Sequence, residues 1–596
     1  MATRLLYDLL VDIDHTGVGD DEAQDLRIVD LAYRSDRVVP GSLFFAIPGA
    51  KADGHDFALD AAIRGAVALL VERPVDTALP QVLCADSRMA LALVSRTFFG
   101  DPSARLVVSA ITGTNGKTTS SYLIDWICRS VLARALNTVD DDLASAGTSA
   151  PAGISASTAA PAPVPAPAFA DTSASADSLN TTVSRAADAF EKTGLIGTVE
   201  TRIGAVRQSS RHTTPESYEL QKLFAHCLAQ GLTHVAMEVS SHAIELKRVA
   251  GVHFAVAAFT NLTQDHLDFH GSMEAYFEAK AALFDSLLVA RRVITIDDEW
   301  GRRLLARCQK AGFEALTCGL SPDADIRARD IAYSSRSTAL TLETPEGDFA
   351  LSYPLIGGFN VSNVLLAAAT AYALGFAWPD ITAALATTPQ IPGRLERVDD
   401  PAGRVEVFVD YSHTPDSIAK ALAALDSLKG ARRTLIVFGC GGDRDATKRP
   451  LMGAAALAAD YCIVTSDNPR SEDPQAIIED ILPGMAGGQD RYEVEPDRRR
   501  AIARALLIAE PGDLVLIAGK GHEDYQLVGD QVLDFDDRLV AAEELALFAD
   551  THMQAAEQRE ILARNGEALL AGTYMQTVGT ECALASNDPA GRQERP

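Results

Sequence analysis

The sequence predicts an α/β protein of three domains. A small mixed α/β domain comes first, a central domain with a mostly parallel sheet follows, and a Rossmann-like domain comes last. Three observations lead there. The chain has 596 residues, far more than one hydrophobic core serves. Short apolar runs alternate with helical patterns, as in parallel strands covered by helices. Many of those runs end in glycine-rich or charged motifs, and in such sheets ligands sit at the carboxyl ends of the strands.

Residues 1–105 mix short strands and helices, with Ser42–Ile47 and Val67–Val71 as buried strands. Residues 106–388 begin with the apolar run Leu106–Ile111. Within them, 137–186 are dominated by Ala, Pro, Ser and Thr, as in Ala160–Pro167. Such a stretch buries too little apolar area to offset its ordering entropy, so it reads as a disordered insertion in a surface loop. Residues 389–548 alternate strands and helices, and Ile391–Glu396 reads as the hinge before them. Residues 549–596 start helix-like and end as a polar tail.

Hydrophobic residues make up 47% of the chain and charged residues 22%, as in globular proteins. The net charge of −28 opposes non-specific nucleic-acid binding and an anionic membrane surface. A local cluster of donors still allows anionic small molecules. No apolar segment precedes Asp8, Asp12 and Asp14, so no signal peptide is expected. The apolar stretch Val364–Trp378 is shorter than the roughly 20 residues a bilayer needs and reads as a buried helix. The eight cysteines have neither C-x-x-C nor zinc spacing, which fits a reducing cytoplasm. The expectation is a cytoplasmic monomer with small-molecule substrates and no membrane insertion.

After Leu106–Ile111 comes Thr112-Gly113-Thr114-Asn115-Gly116-Lys117-Thr118-Thr119, then a helical pattern through Tyr122, Leu123, Trp126 and Ile127. Glycines let backbone N–H groups close on phosphate oxygens, and a helix N-terminus adds positive potential. Lys117 suits the outer phosphates, and the Thr118 hydroxyl suits Mg²⁺. The loop gives the central domain the form of a P-loop-type ATPase domain and suits a bound nucleoside triphosphate. Its spacing is G-x-x-G-K-T, because Ile stands at 111 where the longer motif has Gly. Kinase, hydrolase, ligase and switch protein all remain open at this point.

Glu238 lies near the carboxyl end of the alternating strand Thr233–Val239, and the apolar strand Phe254–Phe259 runs into Asp265 and His266. Acids and histidines beyond strand ends are placed to ligate Mg²⁺ directly or through water, although Asp265-His266 also reads as a helix start. The segment Ser272–Leu288 reads as one helix with Tyr276, Leu283, Phe284 and Leu287 on its apolar stripe. Lys280 falls on that stripe, where a lysine is costly unless paired, snorkelling or modified.

In the last domain four strands each end in a polar motif: Asp410–Pro415, Gly439–Asp445, Ser466–Arg470 and Gly519–Glu523. Arg444 and Arg470 suit carboxylates, and Asp467 and Glu523 suit ammonium groups. A site of both signs fits an amino acid with two charged ends. The plain alternative is a set of structural salt bridges such as Asp443–Arg444.

Gly113–Thr119, Met237–His242, Asn261–Gly271 and Ala279-Lys280 together resemble the Mur ligases, specifically the branch that adds the third residue of the peptidoglycan stem peptide. The resemblance covers nearly the whole chain outside 137–186 and the tail. It implies that Lys280 becomes a carbamate, a carboxylate-like ligand, so that Thr118, Glu238, His266 and Lys280 form the metal sphere. Lys117, Glu238, His266 and Lys280 are then the catalytic set. It implies that Ser35, Thr213, Thr214, Ser240 and Arg248 hold a UDP-muramyl dipeptide, and that Asn360, Arg394 and Asp410 meet the nucleotide beside Gly113–Thr119. Arg34-Ser35-Asp36 stands where the family often has Asp-Ser-Arg, and His212 where Asn can precede the threonine pair. Asp467-Asn468-Pro469-Arg470 is similar to the family's signature for meso-diaminopimelate, with Arg444, Gly519 and Glu523 beside it.

The implied reaction moves the γ-phosphoryl group of ATP onto the D-glutamate carboxylate, and the amine of a diamino acid then attacks the acyl phosphate. L-lysine or L-ornithine is the second choice of amine. A folylpolyglutamate synthetase, a generic P-loop phosphotransferase and a catalytically dead binding protein are the other readings. Asp467–Arg470, residues 1–105, the intact loop and Lys280 argue against them.

Overall fold

The structure, a computed structural model, describes residues 3–17, 25–49, 52–145, 192–210, 212–430 and 432–549. The chain divides into two compact units, Met1–Ile391 and Pro392–Pro596. The first two expected domains share the first unit, and the division falls after Ile391 rather than after residue 388.

The first unit opens on a five-stranded sheet. In chain order its strands are β1 (His15–Thr16), β2 (Asp30–Ala32), β3 (Ser42–Phe45), β4 (Ala66–Val71) and β5 (Gln81–Cys84), arranged β1-β5-β4-β3-β2. β2 to β5 are parallel and the short β1 is antiparallel. Helix α1 (Ser87–Phe98) is capped by Asp86, whose carboxylate accepts from Met89 N.

An 11-stranded sheet follows. Its strands are β6 (Val107–Thr112), β7 (Thr193–Ile196), β8 (Glu200–Ile203), β9 (Val206–Ser209), β10 (His234–Glu238), β11 (Phe254–Phe259), β12 (Val289–Thr295), β13 (Leu316–Gly319), β14 (Ile326–Tyr333), β15 (Thr338–Thr344) and β16 (Gly347–Tyr353). The order is β9-β8-β7-β10-β6-β11-β12-β13-β14-β15-β16, parallel from β7 to β14 and antiparallel at both ends. β6 lies between β10 and β11, so the loop after it is flanked by the ends of two further strands. Alternation divides its side chains between two cores. Ile111 packs with Leu123, Ile127 and Leu365 on one face, while Val108 and Ala110 pack with Phe224 and Phe284 on the other.

Helix α2 (Lys117–Ser145) runs past Asn137, so the biased stretch begins as helix, and residues 146–186 of it lie outside the described residues. The expected tail lies outside them too, from residue 550 on. Helix α3 (Ser217–Ala229) ties the two sheets: Tyr218 Oη donates to Asp30 Oδ1 at 2.8 Å, and Tyr33 Oη donates to Glu219 Oε1 at 2.7 Å.

The expected helix Ser272–Leu288 is shorter: α4 spans Met273–Ala281. The last helical carbonyls are closed by tighter turn bonds, Leu283 N to Lys280 O at 3.2 Å and Phe284 N to Ala281 O at 2.9 Å. Buried Arg292 then donates to the carbonyls of Phe284, Ser286 and Val289 at 2.7, 2.9 and 3.2 Å, holding the chain beyond the helix in a non-helical path. Leu287 consequently leaves the apolar stripe and is 85% exposed. The expected helix Val364–Trp378 is likewise shifted. Helix α5 (Gly358–Ala373) starts earlier, Gly375 at φ +97° breaks it, and Trp378 opens the next helix.

In the second unit a six-stranded sheet is formed by β17 (Glu396–Val398), β18 (Glu406–Asp410), β19 (Thr434–Phe438), β20 (Tyr461–Val464), β21 (Tyr492–Val494) and β22 (Leu514–Ala518). Its order is β17-β18-β22-β19-β20-β21, with only β17 antiparallel. Helix α6 (Arg498–Ile508) packs its Ala501, Ile502, Ala505 and Leu506 against the sheet residues Val437 and Val515. A separate hairpin, β23 (Tyr525–Val528) and β24 (Gln531–Asp534), lies beyond β22. Among the described residues no helix is long and apolar enough to cross a membrane.

Candidate active site

The loop after β6 is built by close approach. Gly113 has φ +147°, and a Cβ there would lie 1.8 Å from Thr260 Oγ1. Gly116 has φ +86°, and a Cβ there would lie 2.2 Å from Asn363 Oδ1. Neither position admits a side chain. The segment after β11 braces the loop: Asn115 N donates to Asn261 Oδ1 at 3.1 Å, Asn261 Nδ2 donates to Asn115 O at 3.1 Å, and Thr263 N donates to Thr114 Oγ1 at 3.0 Å.

Two lysines converge on one loop oxygen. Lys117 Nζ donates to Gly113 O at 3.0 Å and to Thr114 O at 2.8 Å; Lys280 Nζ donates to Gly113 O at 2.8 Å. Lys280 is 1% exposed and lies over the Tyr276 ring, 4.6 Å from its centroid. Burial, with Lys117 beside it, holds its ammonium well below the usual lysine range. Lys280 therefore does not snorkel.

Glu238, fully buried at the end of β10, accepts from Thr118 Oγ1 at 3.1 Å, Thr198 N at 2.8 Å and Thr198 Oγ1 at 3.0 Å. A Cβ at Gly197 would lie 2.4 Å from Glu238 Oε1, which explains the glycine there. The fourth residue of the expected metal sphere, His266, has φ +52° and caps the short helix Leu267–His270. Its ring stands edge-on to Tyr276 and to His242, at 6.2 and 5.0 Å between centroids.

Glu238 also reaches the residues expected for the muramyl dipeptide. Its carbonyl accepts from Thr214 Oγ1 at 2.9 Å, and Thr214 Oγ1 accepts from Ser240 N at 3.1 Å. Arg248 Nη1 donates to Thr214 O at 3.1 Å, and Thr213 Oγ1 lies 3.1 Å from Thr198 Oγ1. Glu216 holds Arg248 at 2.8 Å and Arg88 of α1 at 3.6 Å. Ser35 opens the single 3₁₀ turn Ser35–Arg37, and no hydrogen bond joins it to this group among the described residues. Arg34 and Asp36, on either side of it, pair with each other at 2.8 Å.

Of the residues expected to meet the nucleotide, Asn360 belongs to the first unit. It accepts from Asn363 Nδ2 at 3.0 Å, the same side chain that abuts Gly116. Asp410 and Arg394 lie in the second unit. Asp410 accepts from Leu395 N at 2.8 Å, and burial raises its carboxyl. The Arg394 guanidinium lies 5.0 Å over the Tyr411 ring.

The remaining expected residues gather at the ends of β22, β19 and β20. A Cβ at Gly519 would lie 2.4 Å from Asp467 Oδ2. Asn468 Nδ2 donates to Glu523 Oε2 at 2.7 Å, and buried Lys520 donates to Asn468 Oδ1 at 3.1 Å. Burial raises the Glu523 carboxyl, with Asp467 adding to it and Lys520 opposing. Arg470, after Pro469, has φ +53° and donates to Gly442 O at 2.6 Å. Arg444 donates to the carbonyl of Asp443 at 3.1 Å, while the Asp443 carboxylate accepts from Ser471; a plain Asp443–Arg444 salt bridge is not what forms. Asn261, Thr263 and Lys520 lie inside the runs Asn261–Gly271 and Gly519–Glu523 that the sequence marks, but nothing local assigns them a role. Thr198, Glu216 and the β23–β24 hairpin lie in no marked run, and the one signal for Thr198 is its place directly after the apolar Leu195-Ile196 and Gly197.

Three family models match in chain order: "Mur ligase family, catalytic domain" over residues 27–97, "Mur ligase middle domain" over 179–371 and "Mur ligase, glutamate ligase domain" over 393–521. The UDP-N-acetylmuramoyl-L-alanyl-D-glutamate--2,6-diaminopimelate ligase of Solibacter usitatus is 43% identical over 530 residues, covering 88% of this chain and 94% of the relative. The protein of the same name from Geobacillus thermodenitrificans is 41% identical over 525 residues, covering 86% and 94%. A solved structure of a ligase of that name has a TM-score of 0.62 at 30% identity and covers 92% of this chain and 100% of its own. The folylpolyglutamate synthase of Mycobacterium tuberculosis complexed with ADP, at a TM-score of 0.52 and 17% identity over 72% of this chain and 91% of its own, shares the fold. Three ordered domain matches and relatives of this identity over most of both chains make this protein a member of the Mur ligase family.

Proposed function

We propose that this chain joins meso-diaminopimelate to UDP-N-acetylmuramoyl-L-alanyl-D-glutamate at the expense of ATP. The observation that carries the choice of amine is the two-signed strand-end cluster of the second unit, where Arg470 and Arg444 stand with Asp467 and Glu523. A diamino diacid needs carboxylate binders and ammonium binders together, and lysine would leave an arginine unpaired. The relatives of 41–43% identity carry 2,6-diaminopimelate in their names.

A carboxylate is a poor electrophile, so the D-glutamate carboxylate must first take the γ-phosphoryl group of ATP. Gly113–Thr119 cradles the phosphates through backbone N–H groups, and Lys117 exchanges its loop carbonyls for phosphate oxygens. Thr213, Thr214, Ser240, Arg248 and Ser35 hold the muramyl dipeptide. Asn360, Arg394 and Asp410 orient the nucleotide. Asp467, Asn468 and Glu523 orient the amine of the diamino acid, and Arg470 and Arg444 its carboxylates. Phosphate leaves when the amine displaces it from the acyl carbon.

The Thr118 hydroxyl and Glu238 carboxylate are hard oxygen donors 3.1 Å apart, a pair that fits Mg²⁺, with His266 and Lys280 completing the set. The ion supplies neutralisation of phosphoryl charge when bound. A buried amine of lowered basicity such as Lys280 suits addition to CO₂: the neutral nitrogen bonds to the carbon, one N–H proton is released to solvent, and the carbamate formed places a negative charge beside Lys117. The seven described cysteines are all buried free thiols, in keeping with a cytoplasmic setting, and we read the enzyme as a monomer.

The test is turnover with ATP, the muramyl dipeptide and each amino acid in turn. Phosphate release that depends on meso-diaminopimelate is expected. Turnover with L-lysine or L-ornithine but not with diaminopimelate would overturn the choice of amine. ATP turnover independent of any amine would overturn the ligase reading.

A further inference from the structure

The residues Asp467–Arg470 do not stand on the end of β20 unaided. The hairpin grips them along its inner strand. Gln526 Nε2 donates to Asp467 O at 2.6 Å, and Leu527 N donates to Asn468 Oδ1 at 2.9 Å. Arg470 N donates to Leu527 O at 3.0 Å, and Arg470 O accepts from Gly529 N at 2.7 Å. From the other side the Asp443 carboxylate accepts from Ser471 N at 3.1 Å and Ser471 Oγ at 2.7 Å, fixing the residue after Arg470.

These bonds hold something that would not hold itself. Arg470 has φ +53°, in the left-handed region that a residue with a Cβ avoids. The hairpin, in turn, has little reason of its own to be ordered. Every residue of β24 is exposed, including Val532 at 67%. A lone two-stranded hairpin is marginal in water. Its grip on the Asp467–Arg470 segment accounts for its position better than any core does.

We propose that the 525–534 hairpin, through Gln526 and Gly529, and Asp443 from the opposite side, are positioning elements that preset Arg470 for the carboxylate of a diamino diacid. They thereby set selectivity against amines that end in an ammonium group. The inference rests on the role given to Arg470 above.

The experiment uses the full chain as wild type, Gln526→Leu and Asp443→Asn. It measures kcat, KM for meso-diaminopimelate, KM for ATP, the ratio of kcat/KM for meso-diaminopimelate over L-lysine, and the urea midpoint. Loss of one preorganising hydrogen bond predicts that Gln526→Leu raises KM for diaminopimelate about tenfold and lowers the ratio by a similar factor. Its KM for ATP and urea midpoint stay at wild-type values. Asp443→Asn moves the same two quantities in the same direction by less. Wild-type KM and selectivity in both variants overturn the inference. So does a joint fall of ATP affinity, kcat and urea midpoint, which assigns these residues to general stability. The wild-type measurement alone decides the reading beneath: if diaminopimelate is no substrate, that reading fails first and takes this one with it.

Discussion

Arg498 and Asp537 form an ion pair with both side chains 0% exposed. Arg498 Nε and Nη2 donate to the two carboxylate oxygens at 2.7 and 2.6 Å, and the same guanidinium donates to Ala518 O at 2.9 Å and Ser466 O at 3.3 Å. Those carbonyls immediately precede Gly519 and Asp467, so the pair lies directly beneath the proposed amino-acid site. Asp537→Ala leaves a buried guanidinium with two backbone acceptors and no counter-charge. Breaking one side of such a pair costs about 3–5 kcal/mol. Replacing both partners by apolar residues of similar size, Arg498→Met with Asp537→Leu, is expected to recover most of that loss, since the desolvation cost disappears with the charges. The carbonyls of Ser466 and Ala518 then lose their shared donor, and KM for diaminopimelate stays raised. Urea unfolding followed by circular dichroism gives the stability part, and initial rates give the KM. If Asp537→Ala costs less than about 1 kcal/mol, or if the double variant is less stable than the single one, the argument from uncompensated burial is wrong.

Two further outcomes follow from buried basic groups. Lys280→Met is expected to unfold at higher urea by ~1–3 kcal/mol, because a buried amine is replaced by an apolar chain of like volume. It should also be inactive with or without excess bicarbonate, and full activity in it would end the catalytic assignment. His522 is pushed down to about 3, first by burial and then by Arg394 and Arg538. Below the unfolded value near 6.5 the unfolded chain binds the proton and the folded chain does not. This contribution is therefore intact above about pH 6.5 and is lost progressively as pH falls toward 3, by at most about 5 kcal/mol. A His522→Leu variant should show a flatter fall in stability between pH 6 and 4 than wild type, measured by urea titration at each pH; parallel curves would refute it.

The phosphate loop was legible because its chemistry is local: strand, glycines, Lys117 and Thr118 sit in one run. The strands Phe254–Phe259, Thr434–Phe438 and Leu514–Ala518 fall where their apolar runs do, for the same reason. What stayed hidden depends on partners far along the chain. Asn261 and Thr263 brace Asn115 and Thr114 from 146 and 149 positions away. The hairpin reaches Asp467 from 59 positions away, and its strands, Tyr525–Val528 and Gln531–Asp534, are too short for a hydrophobic alternation to announce them. Helix α4 was read too long because Leu283, Phe284 and Leu287 keep helical spacing after the helix has ended. Beyond Ala281 the chain is held by Arg292, a charged residue inside a strand whose reach to three carbonyls no local pattern records.

Glu238 serves two neighbours at once. Its carboxylate takes the hydroxyl of Thr118 in the phosphate loop, while its carbonyl takes the hydroxyl of Thr214, which in turn fixes Ser240 and Arg248. A shift of this residue that suits a bound nucleotide is thus felt where the muramyl dipeptide is expected to lie. Coupling of this kind is reciprocal. By whatever factor nucleotide changes the affinity for the dipeptide, the dipeptide changes the affinity for nucleotide by the same factor.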